Sequence, residues 1–551
     1  MAEIRVAAIR VTPGVVISVK SVIAPLHSFV LAVNVVSVSL LLLNVDCLDN
    51  GAVLTPPMGW LSWTRFMCET DCVAHPHDCV SERLYKAMAD HLVTDGYLEA
   101  GYNRLNVDDC WSLKTRDSNG RLQADPQRFA HGMKALGEYV HGKGLLYGLY
   151  ACFGRRTCMG YAGTEMQHMH ADARVFRDWN VDYLKFDGCF NDPSTLQPAY
   201  IKMGAELNAT GRQIVYSCSW PFYLLTDGHE QPNYTLIESH CNLWRNYNDI
   251  EIRWASILSI IDFYDRNHHR FAGHHGPGRW NDPDMLVIGN PGVTLRQARV
   301  QMAIWCLWSA PLLMSNDLRR MQPGTREILL NKRLIAVDQD PLGKMARKIM
   351  TINSLHVYRK PMTPIDETIK VSGRLATSKR LHDRTNLVKY SFAIGLFNRH
   401  HSEPVSNSIV LSELGLSHRN GYDLVDLWTG KPLGHYAPNR EFHYTVPPCD
   451  IVMLKATIAN LKPTKLAVTA LDAKRSNFSS WSSAKQSAIM DSFSKQYGTV
   501  ALLLIVVAAV LTQLLLKPLR RRLSIVVLLI CVYFIVVYVG LLFFHDDGAI
   551  T

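Results

Sequence analysis

Short apolar runs alternate with helical patterns through the first two thirds of the chain. Met58-Gly-Trp60-Leu-Ser-Trp63 is the first run, and Arg104 to Trp111 the second. Leu145 to Tyr150, Tyr183 to Asp187, Ile214 to Trp220 and Leu243 to Asn246 follow. Gly278 to Leu286 contains a seventh, and Leu312-Leu-Met-Ser315-Asn-Asp317 is the eighth. Between them apolar residues recur at helical spacing: Leu84, Ala87, Met88 and Leu92 behind a start at Ser81, and Met133, Leu136, Tyr139 and Val140 before Gly142 and Gly144. Val175, Phe176 and Trp179 mark a further helix, as do Trp254, Ile257, Leu258 and Ile261, and Thr294-x-x-Gln297 is a capping box opening another. This order predicts an α/β fold, a (β/α)8 TIM barrel over residues 48–345, whose strand C-termini converge on one pocket. A doubly wound sheet has the same alternation, but no Gly-rich phosphate loop follows the first run.

The pattern then changes. Residues 346–457 hold short segments rich in Val, Ile, Tyr and Phe, such as Leu387 to Phe397 and Tyr422 to Leu427, between Gly, Pro and Asn turns. They predict a C-terminal antiparallel β-sandwich. Residues 458–498 read as a Ser- and Lys-containing stalk. Thr499 to Leu516 and Leu523 to Phe544 are apolar runs of spanning length around the basic hinge Lys517-Pro-Leu-Arg520-Arg521-Arg522. They predict a transmembrane helical hairpin over 499–544, with the hinge in the cytosol and the tail 545–551 in the lumen. At the other end, Arg5, Arg10 and Lys20 precede an apolar stretch from Val22 to Leu43, so residues 1–47 read as a signal peptide or a signal anchor.

Composition narrows the compartment and the partners. The 551 residues carry a net charge of +10, but the basic residues are scattered through helical patterns, which argues against a nucleic-acid partner. Of the 13 cysteines, Cys68, Cys72, Cys79 and Cys110 form an early group without CxxC or zinc-finger spacing. Disulfides in an oxidising compartment suit them better than a metal. Sequons at Asn208, Asn233 and Asn477 agree, and the catalytic part is expected in the lumen or outside the cell, on a lysosomal or cell-surface membrane.

The run endings supply the chemistry. In a strand, Lys185 and Asp187 point the same way, and a cation beside an aspartate keeps it ionised, as a nucleophile must be. Asp249, on a loop after the sixth run, is free to be a general acid/base of raised pKa. Asp108, Asp109, Asp282 and Asp284 add acids to the same face, interleaved with Trp60, Trp63, Trp111, Tyr150, Trp220 and Tyr223. Carboxylates among aromatic faces suit a sugar better than a metal. In retaining glycosidases the two carboxyl groups lie about 5 to 5.5 Å apart, one attacking and one protonating the leaving oxygen. A metal-dependent barrel using the aspartates with His268-His269 and His274-His275 is the competing reading, and paired loop histidines are more often solvated than ligating. No metal or cofactor is expected.

From Leu48-Asp-Asn-Gly to about Leu342-Gly343 the chain resembles the melibiase-type glycoside hydrolases, the family of lysosomal α-galactosidase and α-N-acetylgalactosaminidase. Thr55-Pro-Pro-Met-Gly-Trp60, Asp108-Asp-Cys-Trp111, Gly120 to Phe129, Leu184-Lys-Phe-Asp-Gly-Cys189, Asn242-Leu-Trp-Arg-Asn246, Trp280-Asn-Asp-Pro-Asp-Met-Leu286 and Gln339-Asp-Pro-Leu-Gly343 carry the resemblance. It implies a retaining exo-glycosidase for terminal α-linked galactose or N-acetylgalactosamine on glycolipids, glycoproteins or oligosaccharides, and a homodimer. Asp187 would be the nucleophile and Asp249 the acid/base. Asp108 and Asp109 would take the sugar's 6- and 4-hydroxyls, Lys185 its 3-hydroxyl region, and Arg245 would sit near the 2-position, with Trp63, Tyr150 and Asp284 lining the pocket. The resemblance also pairs Cys68 with Cys110, Cys72 with Cys79, Cys158 with Cys189, and Cys218 with Cys241.

Departures from the family leave the sugar open. In Ser217-Cys-Ser219-Trp-Pro-Phe222-Tyr223, α-galactosidases have Glu and Leu where Ser219 and Phe222 stand, and α-N-acetylgalactosaminidases have Ser and Ala. Ser219 matches the second type, while Phe222 is bulkier than either. Cys152 and Thr64 replace acidic residues of the soluble lysosomal members, and Cys152 is expected as an unpaired thiol at the pocket edge. A membrane-tethered lectin that binds α-galactosides without cleaving them is the alternative, which loss of either catalytic acid would have favoured.

Overall fold

The computed structural model describes residues 50–226, 231–366 and 389–461. Among these, no helix is long and apolar enough to cross a membrane. The N-terminal apolar segment, the stalk with Asn477, the transmembrane hairpin and the tail expected from the sequence lie outside the described residues.

The short apolar runs become strands because burial on both faces suits continuous apolar sequence, as parallel sheets require. They are β1 (Met58–Leu61), β2 (Arg104–Asn106), β3 (Leu146–Cys152), β4 (Tyr183–Asp187), β5 (Val215–Cys218), β6 (Leu243–Arg245), β7 (Trp280–Asp282) and β8 (Leu312–Met314). The sheet order is β7-β6-β5-β4-β3-β2-β1-β8, and every neighbouring pair is parallel. After β7, a parallel bridge pairs Leu286 with Met314, and Leu286 and Ser315 donate to Leu313 and Leu286 carbonyls at 2.8 Å. The sheet therefore curls until its ends meet, in the manner of a TIM barrel.

The long helices between strands are α1 (Glu82–Thr94), α2 (Gly132–Gly142), α3 (Met169–Asp178), α4 (Pro193–Ala209), α5 (Trp254–Phe271) and α6 (Leu295–Trp308). The capping box at Thr294 and Gln297 forms as its residues dictate, each side chain accepting from the other's backbone N–H. Ser81 stands at the start of α1, but its hydroxyl donates to Cys79 O at 3.0 Å instead of capping the helix. Inside the barrel Gly148 is required: a Cβ there would collide with the inward-facing Asn106 side chain.

Beyond the barrel, two antiparallel sheets form the second layer structure. β9 (Arg347–Ile352), β10 (Leu355–Asp366), β11 (Lys389–Asn398), β13 (Tyr422–Asp426), β14 (Pro432–Tyr436) and β16 (Asp450–Ile458) build a six-stranded sheet, while β12 (Val405–Val410) pairs with β15 (Glu441–Val446). Leu396, Leu424, Leu414, Phe442 and Val446 fill the core between them. Lys360, fully buried on β10, ties this part to the barrel by donating to the carbonyls of Cys306 (3.0 Å) and Val337 (2.6 Å) and to Ser309 Oγ (2.6 Å). A cation at the C-terminus of α6 meets the negative end of its dipole.

Candidate active site

The strands end on one face, where β4 presents Lys185 and Asp187 two residues apart and hence on one side. Lys185 is buried, with Nζ 2.8 Å from Asp108 Oδ2 and 3.8 Å from Asp187 Oδ2. The rings of Tyr150 and Trp63 lie 5.2 and 5.9 Å from the same nitrogen. Burial opposes the ammonium charge, but Asp108, then Asp187 and Asp249, outweigh it and hold Lys185 above the ordinary lysine range.

Burial raises Asp108 even against Lys185. Asp109 is pushed up to about 6 by burial, although its carboxylate accepts from the N–H groups of Cys110 at 2.6 Å and Met159 at 3.1 Å. Ser62 Oγ, at the end of β1, accepts from the Asp108 N–H at 3.1 Å and meets the Tyr85 hydroxyl at 3.0 Å, so it seats the pair from below. After β5, the Ser219 hydroxyl donates to Asp187 Oδ1. Asp187 thus has a cation on one oxygen and a hydroxyl donor on the other.

Arg245 ends β6 and divides two carboxylates. Its Nη2 lies 2.9 Å from Asp249 Oδ1 and its Nη1 2.9 Å from Asp284 Oδ1. The Asp249 side chain is 61% exposed and that of Asp284 only 3%. Asp284 sits in left-handed backbone (φ 80°) and accepts from the Ile250 N–H at 2.7 Å, which fixes the Asp249 loop. Burial pushes the Asp284 carboxyl up to about 7 against the pull of Arg245. For Asp249, burial is outweighed by Arg245 and Lys185, and the carboxyl lies below the usual range. The exposed carboxylate partner of Arg245 is thus shifted down and the buried one up, whereas the sequence reading has Asp249 free to be a general acid/base of raised pKa.

Trp63, Asp108, Asp109, Tyr150, Lys185, Asp187, Ser219, Phe222, Tyr223, Arg245 and Asp249 surround one pocket. Asp284, expected among them, stands behind Arg245 instead. Cys158 and Cys189, which the resemblance pairs without placing them in the pocket, also line it, and their disulfide forms part of the wall. Disulfides also join Cys68 with Cys110, Cys72 with Cys79, and Cys218 with Cys241. Cys152 is a free thiol, but buried under the pocket rather than at its edge. It pairs in register with Asp187, and its sulfur lies within 4.8 Å of both Cys158 and Cys189. Since those two are joined, the three sulfurs do not present three thiolates.

His268 and His269 lie near the end of α5, where His269 is exposed, while His275 is buried edge-on against Trp280 at a 5.0 Å centroid distance rather than solvated. None of them lines the pocket. Asn208, near the end of α4, and Asn233 are both exposed.

The family profile described as alpha galactosidase A matches residues 55–340, and that of the alpha galactosidase C-terminal beta sandwich domain matches 384–456. Alpha-N-acetylgalactosaminidase of Gallus gallus is 41% identical over 409 residues, covering 74% of this chain and 94% of that protein. Alpha-galactosidase A of Homo sapiens is 48% identical over 328 residues, 59% of this chain and 76% of that one. The crystal structure of alpha-galactosidase I from Mortierella vinacea superposes with a TM-score of 0.61 at 26% identity, over 74% of this chain and 99% of that chain.

Proposed function

Because the chain belongs to the melibiase family of glycoside hydrolases, we propose that it is a retaining exo-glycosidase that removes terminal α-linked galactose or N-acetylgalactosamine. One observation carries this reading: Lys185 joins Asp108 to Asp187 on one side of the pocket, while Arg245 holds Asp249 in the same pocket.

Asp187 Oδ attacks the anomeric carbon as the bond to the leaving oxygen breaks, and Asp249 delivers its proton to that oxygen. A water then attacks the glycosyl-aspartate, Asp249 takes back a proton, and Asp187 leaves as carboxylate, so charge and atoms return to their starting state. Lys185 and Ser219 support Asp187 as an anion in both steps. Asp249 must be protonated to begin, and Arg245 holds it low, which favours turnover on the acid side of neutrality. There Asp109 is protonated and can donate to a sugar hydroxyl as well as accept.

The pocket supports both sugars in different ways. Ser219 is small enough to leave room beside Asp187, whereas Phe222 occupies the same wall, ring to ring with Tyr223 at 5.0 Å. The disulfides support a site of action in the lumen or outside the cell. Hydrolysis of paired chromogenic α-galactoside and α-N-acetylgalactosaminide by the full chain, with Asp187→Asn as control, tests the reading. Cleavage of at least one, lost in the control, is expected. Sugar binding without cleavage of either would make the protein a lectin.

A further inference from the structure

Phe222, Tyr223, Cys158 and Cys189 line the pocket together with its charged residues. Phe222 packs edge to face on Tyr223, whose hydroxyl meets Cys189 Sγ at 3.1 Å. The Cys158–Cys189 bridge stands beside them, with its Cα atoms 5.3 Å apart. Each half-cystine is followed by an exposed apolar side chain, Met159 at 45% and Phe190 at 83%. With about 3.8 Å between consecutive Cα atoms, the two emerge within about 13 Å of each other.

Both are held in place. The Met159 N–H is the donor that seats Asp109. Phe190 has left-handed backbone (φ 62°), sparsely populated for a residue with a Cβ, and the neighbouring chain pins it there. Asn191 Nδ2 donates to the carbonyls of Phe153 (2.8 Å), Cys189 (2.8 Å) and Gly188 (3.3 Å), and the Phe153 N–H donates to Asp187 O at 2.8 Å. A single exposed apolar residue needs no explanation. Two that each follow a pocket-lining half-cystine put exposed apolar side chains next to the sugar pocket.

We propose that Met159 and Phe190 form a leaving-group platform that favours glycosides of an alkyl or aryl aglycone. The proposal rests on the hydrolase reading above. A sugar as leaving group would stack a C–H face on the Phe190 ring but leave its hydroxyls without a donor or strong acceptor on either side chain, whereas an alkyl or aryl group has no such hydroxyls to pair. A thioether beside an aromatic ring instead adapts to irregular apolar shapes.

The test compares kcat/KM of the full chain for the methyl glycoside, the octyl glycoside and a disaccharide of the sugar it accepts, by release of that sugar. In Phe190→Ser the octyl-to-methyl ratio falls about fivefold, from lost apolar burial. Phe190→Trp keeps the ratio to within about twofold of wild type, because the face is restored. A ratio unchanged in Phe190→Ser overturns the platform, as does a fall confined to the disaccharide, which would make it a sugar subsite. A wild-type chain that cleaves none of the three overturns the hydrolase reading and the platform together.

Discussion

Lys185→Met removes one charge while keeping an unbranched side chain of similar length, and its consequences follow from two distances. At an effective dielectric of about 20, a unit pair at the Lys185–Asp108 separation of 2.8 Å is worth about 6 kcal/mol, and at the Lys185–Asp187 separation of 3.8 Å about 4 kcal/mol. Losing the second interaction, with about 1.4 kcal/mol per decade, corresponds to a fall of about a thousandfold in kcat/KM. Stability falls too, by about 3 to 5 kcal/mol, since breaking a buried pair leaves carboxylates uncompensated. The assay is kcat/KM from pH 3 to 8 alongside urea unfolding, for Lys185→Met and for Lys185→Met combined with Asp108→Asn. The double variant should recover part of the stability and none of the activity. A single variant within about tenfold of wild type would refute the electrostatic role given to Lys185.

Asp249→Ala should lower kcat/KM by about 10² to 10⁴ for alkyl leaving groups and far less for dinitrophenyl ones, with azide restoring turnover, as removal of a general acid/base requires; equal losses on both would assign Asp249 another role. Phe222→Ala should raise the ratio of acetamido to plain galactoside kcat/KM by about tenfold or more, the scale of a pocket that gains room for a small group; an unchanged ratio would clear Phe222 of any part in sugar choice. Asp284 gives a stability prediction with a definite sign. Its folded value of about 7 stands above the unfolded value of about 3.9, so between these pH values the native state keeps a proton that the unfolded chain has lost. Its contribution to stability is therefore present at low pH and falls as pH rises toward 7. Melting temperature against pH should be flatter across that window in Asp284→Asn than in wild type, and parallel curves would contradict the assignment.

Much of this was legible in the sequence because it is local. Apolar runs that finish on acids and aromatics become the parallel strands, and the carboxylates at their ends meet in one pocket, since strand direction alone decides which end faces it. The capping box at Thr294 is likewise settled by four residues. Ser81 shows the limit: its position was legible but its bond was not, because the Cys79 carbonyl competes for the same hydroxyl. The partner of Asp249 was hidden for a similar reason. A loop position suggests freedom, yet Arg245 reaches the carboxylate from β6, and its second nitrogen goes to Asp284. That division of one guanidinium between two acids exists only in three dimensions. Phe190 carried no periodic signal at all, and it is its exposure beside a pocket-lining cysteine that singles it out.

The central claim is a covalent glycosyl-enzyme on Asp187. Incubating the full chain with a fluorinated, slowly turned-over α-galactosyl donor and mapping the adduct by peptide mass tests it most directly. One sugar equivalent is expected on the peptide that contains Asp187, with none on Asp187→Asn. A label on Asp249, or hydrolysis of α-galactosides with inversion and no adduct, would contradict it.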